Sequence, residues 1–255
     1  MLLEVEKLSK RFGGLTTLRN VDFSVDEGEI RGLIGPNGAG KSTLFNVLSG
    51  YHQADGGSIR YADRDITRLR PHRIAALGLI RTFQATTLFH GMSAAENVAL
   101  GFHLQTRAGL VATLLRTASQ RREEASFAEK TDELLGYTGL SDRRDELAKN
   151  LPHGYQRALA IAIALAARPR LLLLDEPMTG MNSKETEVMT GVIQRIRDRL
   201  GVTIIIIEHD IKAVLRLSDR ITVLNYGEKI AEGTPADVVR DANVVEAYIG
   251  KDENG

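Results

Sequence analysis

The chain has 255 residues, 43% of them hydrophobic and 26% charged, enough for one sizeable core and unlike an intrinsically disordered protein. Thirty-three Lys and Arg balance 33 Asp and Glu, so the basic excess of a typical nucleic-acid binder is missing. There is no cysteine, which excludes disulfide scaffolds, Cys-type zinc sites and thiol nucleophiles.

The first eleven residues mix Leu2, Leu3 and Val5 with Glu4, Glu6, Lys7, Lys10 and Arg11, and do not read as a signal peptide. Val21, Phe23 and Val25 alternate with Asp22 and Ser24, which predicts a half-buried strand. Asp26-Glu27-Gly28 reads as a turn, Glu29 to Ile34 as a second strand and Thr43 to Leu48 as a helix. Ser58 to Tyr61 predicts another short strand. Ser93 and Glu96 form a capping box, and from there to about Leu147 the chain is expected to be mostly helical and richly charged, a helical insertion.

The last third alternates helix and apolar strand. Gln156 to Ala167 predicts a helix of small and branched residues. Leu171 to Leu174, Val202 to Ile207 and Ile221 to Leu224 are continuous apolar runs, as in strands buried on both faces. Asn182 and Glu185 can cap a helix running to about Leu200. The expected class is α/β, with a parallel sheet covered by helices. The longest apolar run, Ala158 to Ala167, is about half a membrane span, so any membrane role would be peripheral and cytoplasmic.

Gly35-Pro36-Asn37-Gly38-Ala39-Gly40-Lys41-Ser42-Thr43 fits the phosphate-loop pattern G-x-x-x-x-G-K-[ST]. Its glycines let successive N–H groups turn inward toward phosphate oxygens. Lys41 offers a point charge for the β- and γ-phosphates, the Ser42 hydroxyl can ligate Mg²⁺, and a helix beginning near Ser42 adds its positive dipole end. Leu171 to Leu174 ends in Asp175-Glu176-Pro177. Ligands of a parallel sheet lie beyond the carboxyl ends of its strands, so Asp175 can hold Mg²⁺ through water while Glu176 polarises an attacking water. Pro177 favours an extended backbone at Glu176.

Val202 to Ile207 ends in Glu208-His209-Asp210, where His209 can donate to the γ-phosphate or orient Glu176. Gln84 can touch Mg²⁺ or the lytic water without adding charge, although one Gln is uninformative alone. Phe12 can stack on a base, while its spacing by itself favours the core.

The order of phosphate loop, Gln84, Leu151-Pro152-His153-Gly154-Tyr155-Gln156, Leu-Leu-Leu-Leu-Asp-Glu-Pro and His209 resembles the ATP-binding subunits of ABC transporters along essentially the whole chain. The resemblance implies a P-loop NTPase (RecA-like) core with a parallel sheet, an antiparallel β subdomain and an inserted α-helical subdomain. It places the core with its β subdomain at about 1–90 and 158–255, and the helical subdomain with the signature motif at about 91–157. It implies ATP and Mg²⁺ as ligands, with Phe12 stacking on adenine and His153, Gly154 and Tyr155 in the signature segment. Thr179 to Thr186, the stretch Thr106 to Arg122 and the tail from Gly233 to Gly250 resemble the ATPases of branched-chain amino-acid importers. Relatives of those take up branched-chain amino acids, amides, urea or aromatic acids. Such ATPases work as dimers with a second ATPase or a second copy, with integral membrane permease subunits and with an extracytoplasmic solute-binding protein.

One departure stands out. The usual signature is Leu-Ser-Gly-Gly-Gln, whereas here Pro152 replaces Ser, His153 a Gly and Tyr155 the Gln. Gly154 and a helix N-terminus remain to face phosphate. Two consequences stay open: an asymmetric dimer with one weaker ATP site, or drift without effect. Three other readings compete with import: export, a soluble ABC ATPase of DNA repair or translation, and a small P-loop kinase. Repair members carry long coiled-coil or zinc insertions, translation members usually two cassettes, and a kinase would need neither the signature segment nor His209. Gly91 to Gly101 follows Gln84 directly, so the resemblance also implies a path for a γ-phosphate signal from Gln84 into the helical subdomain and onward to a permease, with the Leu88-Phe89 surface needed for coupling.

Overall fold

The computed structural model describes residues 1–82, 88–103 and 118–249. Two sheets organise it. The first is four-stranded and antiparallel, built from β1 (Leu3–Phe12), β2 (Leu15–Val25), β4 (Gly56–Tyr61) and β5 (Arg64–Asp65) in the order β2-β1-β4-β5. The second is six-stranded: β3 (Ile30–Ile34), β6 (Leu79–Arg81), β7 (Leu171–Asp175), β8 (Thr203–Ile207), β9 (Arg220–Asn225) and β10 (Glu228–Gly233) lie in the order β10-β9-β3-β8-β7-β6. Its strands are parallel except β10, which returns antiparallel beside β9.

Nine α-helices fall within the described residues: α1 (Lys41–Leu48), α2 (Pro71–Ala76), α3 (Ala94–His103), α4 (Ala118–Tyr137), α5 (His153–Ala166), α6 (Ser183–Leu200), α7 (Ile211–Leu217), α8 (Pro235–Arg240) and α9 (Ala242–Ile249). None is long and apolar enough to cross a membrane.

Successive strand side chains point to opposite faces, and the apolar runs use both. Leu171 and Leu173 of β7 join Leu44, Phe45 and Leu48 of α1 and the inner face of the antiparallel sheet. Leu172 and Leu174 face the other way, onto Val98 of α3, Leu135 of α4, Leu159 of α5 and Ile193 of α6. Every residue of β3, β7 and β8 is buried, which is why these strands carry no polar alternation. α6 buries Met189, Val192, Ile193 and Ile196, one helical stripe. Its capping box forms as the sequence predicts: Asn182 Oδ1 accepts from the N–H of Lys184 (3.0 Å) and Glu185 (3.1 Å), and Glu185 accepts from the Asn182 N–H at 2.9 Å.

Two expectations are corrected. α5 starts at His153 rather than Gln156, with Pro152 (φ −53°) as its N-cap, where proline's fixed φ is harmless. The chain from Thr138 to Pro152 is not helical except for short 3₁₀ turns at Ser141–Arg143 and Ala148–Asn150. Leu3–Phe12 forms a ten-residue strand, β1, although its apolar residues do not alternate throughout.

Register positions the site. Leu33, Ile207 and Asp175 stand level on β3, β8 and β7, because Leu33 pairs with Ile207 and Ile207 with Asp175. The loops that leave these three strands therefore emerge side by side at one edge of the sheet.

Candidate functional site

The phosphate loop leaves β3 at Gly35 and enters α1 at Lys41, with Gly40 as the N-cap. Gly35 has φ +152°, and a Cβ there would lie 2.1 Å from the Leu224 carbonyl oxygen, so glycine is required by contact as well as by conformation. The Ala39 N–H bonds the Pro36 carbonyl at 3.1 Å, closing the loop. Asn37 and Gly38 form its exposed crest, and Ser42 is exposed beside Thr43 on the first turn of α1. Lys41 is buried, its Nζ donating to the carbonyls of Gly35 (2.6 Å) and Pro36 (3.0 Å). The β9–β10 turn braces the loop from outside. Gly227 N–H donates to the Ala39 carbonyl at 3.0 Å, and the Gly227 carbonyl accepts from Arg19 N–H at 2.8 Å. Tyr248 of α9 packs on the cluster containing Ile34; burial pushes its phenol up to about 12, against the effect of the Gly35 backbone.

The carboxylates lie at the end of β7. Asp175 is buried, its Oδ2 accepts from the Arg81 guanidinium at 2.7 Å, and its buried Oδ1 has no hydrogen-bond partner among the described residues. Glu176 departs from the extended backbone expected before Pro177. Its φ is +50°, a left-handed conformation costing about 1–2 kcal/mol in a non-glycine residue. The Glu176 N–H donates to the Ile207 carbonyl at 2.9 Å, and the Thr179 N–H returns to the Glu176 carbonyl at 3.3 Å. These bonds fold the chain over at Glu176, overriding the preference proline imposes. The side chain is then held at both oxygens: His209 Nε2 lies 2.9 Å from Oε1 and the Thr179 hydroxyl donates to Oε2 at 3.2 Å. Of the two roles open to His209, the geometry displays the contact with Glu176.

Sequence reasoning passed over Glu208 and Arg81. Glu208 is buried, and its carboxylate accepts the N–H of Met178 at 2.5 Å and of His209 at 3.2 Å, fastening the turn after Glu176 to β8. Burial raises its pKa, opposed by those two N–H groups and assisted by the Glu176 charge. Arg81, at the end of β6, donates to Asn46 Oδ1 of α1 (2.7 Å) as well as to Asp175, with its guanidinium carbon 5.6 Å from the Phe45 ring centre. The only sequence signal was a charge inside the short apolar segment leading to Gln84. Gln84 itself lies outside the described residues.

Phe12 is no core residue. It is 42% exposed at the tip of the β1–β2 hairpin, edge-on to His52 at 5.0 Å and 5.3 Å from Lys10 Nζ. His153 and Tyr155 are exposed on the first turn of α5, and the Arg143 guanidinium lies 4.4 Å over the Tyr155 ring. Gly154, between them, lies close to Met181 and Glu185, the latter in the α6 capping box. Leu88 turns inward and is buried, so of the Leu88-Phe89 pair only Phe89 is exposed.

Comparison with known proteins identifies the family. The family described as ABC transporter matches residues 18–179. The chain belongs to the ABC transporter ATP-binding family. It is an α/β ATPase of that family, with the phosphate loop and both sheets in place. A second family, described as branched-chain amino acid ATP-binding cassette transporter, matches residues 228–254. The high-affinity branched-chain amino acid transport ATP-binding protein BraF of Pseudomonas aeruginosa is 40% identical over 98% of both chains. LivG of Escherichia coli (strain K12), which carries the same description, is 41% identical over 98% of both chains. Among solved structures, a nucleotide-free ATP-binding cassette from an ABC transporter superposes with TM-score 0.82 at 32% identity, covering 98% of this chain and 99% of that one. The ADP conformation of another cassette gives TM-score 0.82 at 31% identity, covering 98% of each.

The donor set of this ABC ATPase can be tested for a divalent cation. Among the described residues no cluster of three or more His, Asp or Glu could hold a metal alone. Mg²⁺ bound to a nucleotide needs less, since phosphate oxygens and water fill most of its six positions. The exposed Ser42 hydroxyl and the orphaned Asp175 Oδ1 are suitable hard oxygen donors, so the site fits Mg²⁺.

Proposed function

We propose that this chain is the ATP-hydrolysing subunit of an importer for branched-chain amino acids, seated on the cytoplasmic face of the plasma membrane. The observation that carries the reading is the convergence at one sheet edge of the phosphate loop, Asp175 and the Glu176–His209 pair. The solute assignment rests on the BraF and LivG likeness along the full chain and on the tail match.

The residues divide the work. Gly35, Pro36, Asn37, Gly38, Ala39 and Gly40 present backbone N–H groups to phosphate, and Lys41 with Thr43 at the start of α1 adds positive charge and the helix dipole. Phe12 stacks on adenine from the hairpin tip. Mg²⁺, held by Ser42, Asp175 and Gln84, supplies neutralisation of phosphate charge. Glu176 accepts the proton of the attacking water as its oxygen bonds the γ-phosphorus, and His209 keeps the carboxylate in place. The expected division into a nucleotide-binding core at about 1–90 and 158–255 and a helical subdomain at about 91–157 suits this assignment. His153, Gly154 and Tyr155 of one subunit cover the nucleotide of a second ATPase or second copy. The exposed Phe89 faces a permease subunit, and a solute-binding protein delivers cargo from outside. Nucleic acid has no part.

Removing the gene and measuring uptake tests the reading. Leucine, isoleucine and valine uptake should fall together, restored by the wild-type chain and not by Glu176→Gln. Undiminished uptake of all three would overturn it.

A further inference from the structure

The Arg81–Asp175 pair joins three parts of the site that no single loop connects. Both side chains are more than nine-tenths buried, at 8% and 5% exposure. One arm of the guanidinium donates to Asp175 Oδ2 at 2.7 Å and another to Asn46 Oδ1 at 2.7 Å. Asn46 lies on α1, the helix that follows the phosphate loop, and Asp175 ends β7. Arg81 stands two residues before the segment that contains Gln84, and Thr82 is stitched to β7 through its N–H to the Leu173 carbonyl at 3.0 Å.

This pair divides the carboxylate. Oδ2 is taken by the guanidinium, while Oδ1 is buried without a hydrogen-bond partner among the described residues. A buried polar atom left alone is costly, and Arg81 Nε and Asp175 Oδ1 are both in that state; of the two, the carboxylate oxygen at the end of β7 is the one suited to receive a hydrated cation. A planar fork holds an aspartate on one strand and an asparagine on a helix along two fixed directions, whereas a lysine offers rotatable donors from one nitrogen on a flexible stem.

We propose that Arg81 is a positioning residue for the metal: it fixes Asp175 by Oδ2, ties it to α1 through Asn46, and so presents Oδ1 to the hydration shell of nucleotide-bound Mg²⁺. The proposal rests on the assignment of Asp175 to the metal side. Without Arg81 the carboxylate is a buried charge that has lost its anchor at Oδ2, and it rotates toward other donors. That rotation withdraws Oδ1. A merely structural pair would affect folding and leave metal affinity alone.

The test uses the full chain with AMP-PNP, Mn²⁺ as probe and electron paramagnetic resonance as readout. Arg81→Met should weaken Mn²⁺ binding to the protein–nucleotide complex by roughly 10- to 100-fold, as loss of an outer-shell partner does. AMP-PNP affinity in EDTA should stay at the wild-type value. Arg81→Lys should lose less, since it keeps the charge and gives up the fork. If Arg81→Met does not fold, Asn46→Ala removes the second anchor alone and should weaken Mn²⁺ several-fold. Asp175→Asn separates the two readings. Should Asp175→Asn weaken Mn²⁺ while the folded Arg81 and Asn46 variants bind it as tightly as wild type, or more tightly, the positioning role is overturned. Should Asp175→Asn leave Mn²⁺ affinity unchanged, the metal assignment itself fails and the role of Arg81 falls with it.

Discussion

Gly35→Ala tests how tightly the phosphate loop is held. The new Cβ would sit 2.1 Å from the Leu224 carbonyl oxygen, where real Cβ contacts stay beyond 3.0 Å. The loop or β9 must therefore move by about 1 Å, and neither is free to, since packed interiors resist such shifts. Overpacking costs about 1–3 kcal/mol and the unfavourable φ of +152° a similar amount, so about 2–6 kcal/mol of stability should be lost. Gly38→Ala is the control. Gly38 also has positive φ, at +80°, but a Cβ there meets nothing within 4 Å. Strain alone predicts a loss of about 1–2 kcal/mol. Urea denaturation gives both stabilities, and calorimetry on the folded fraction gives ATP affinity. Displacing the loop misaims the N–H groups that face phosphate, so ATP affinity should fall in Gly35→Ala. Equal stability losses in the two variants, with wild-type affinity in Gly35→Ala, would refute the contact argument.

Other expected outcomes follow from single contacts. Phe12→Ala, which removes an exposed ring and no core, should leave the melting temperature unchanged and weaken ATP binding by about 1 kcal/mol by calorimetry. Arg31→Ala strips a buried guanidinium from Glu29 (2.6 Å) and Glu232 (2.8 Å) and should cost about 3–5 kcal/mol in urea denaturation. Glu208 has a raised folded pKa, so ionising it costs stability as pH rises from its unfolded value of 4.5 through the folded one. Glu208→Gln should gain on wild type between pH 4 and pH 7 in thermal melts, and a pH-independent difference would remove the burial argument.

Much of the candidate site was legible because its chemistry is local. The phosphate loop, the Asp175-Glu176 pair and His209 each sit where an apolar strand ends, so a glycine pattern and three apolar runs locate them. What escaped depends on distant partners. Arg81 and Glu208 read as ordinary charges until Asp175, Asn46 and the Met178 N–H are brought beside them. β1 escaped for a different reason. Lys7 adopts φ +46°, and the β1–β2 register slips between Val5 and Leu8, so the buried side chains run Leu3, Val5, Leu8 and break the period of two. Glu176 departs from the extended backbone that Pro177 favours because its N–H bonds the carbonyl of Ile207, 31 positions away on β8.

Single-turnover hydrolysis by Glu176→Gln, measured beside ATP affinity and with any second ATPase subunit present, tests the central claim most directly. The amide keeps the size of the side chain but cannot take the proton of the attacking water. Turnover should fall by roughly 10²- to 10⁴-fold while ATP binds as in wild type, because Lys41, Ser42 and the loop amides are untouched. Lys41→Ala should instead lose binding. Hydrolysis by Glu176→Gln near the wild-type rate would contradict the account, and the base would have to be sought elsewhere, first at His209.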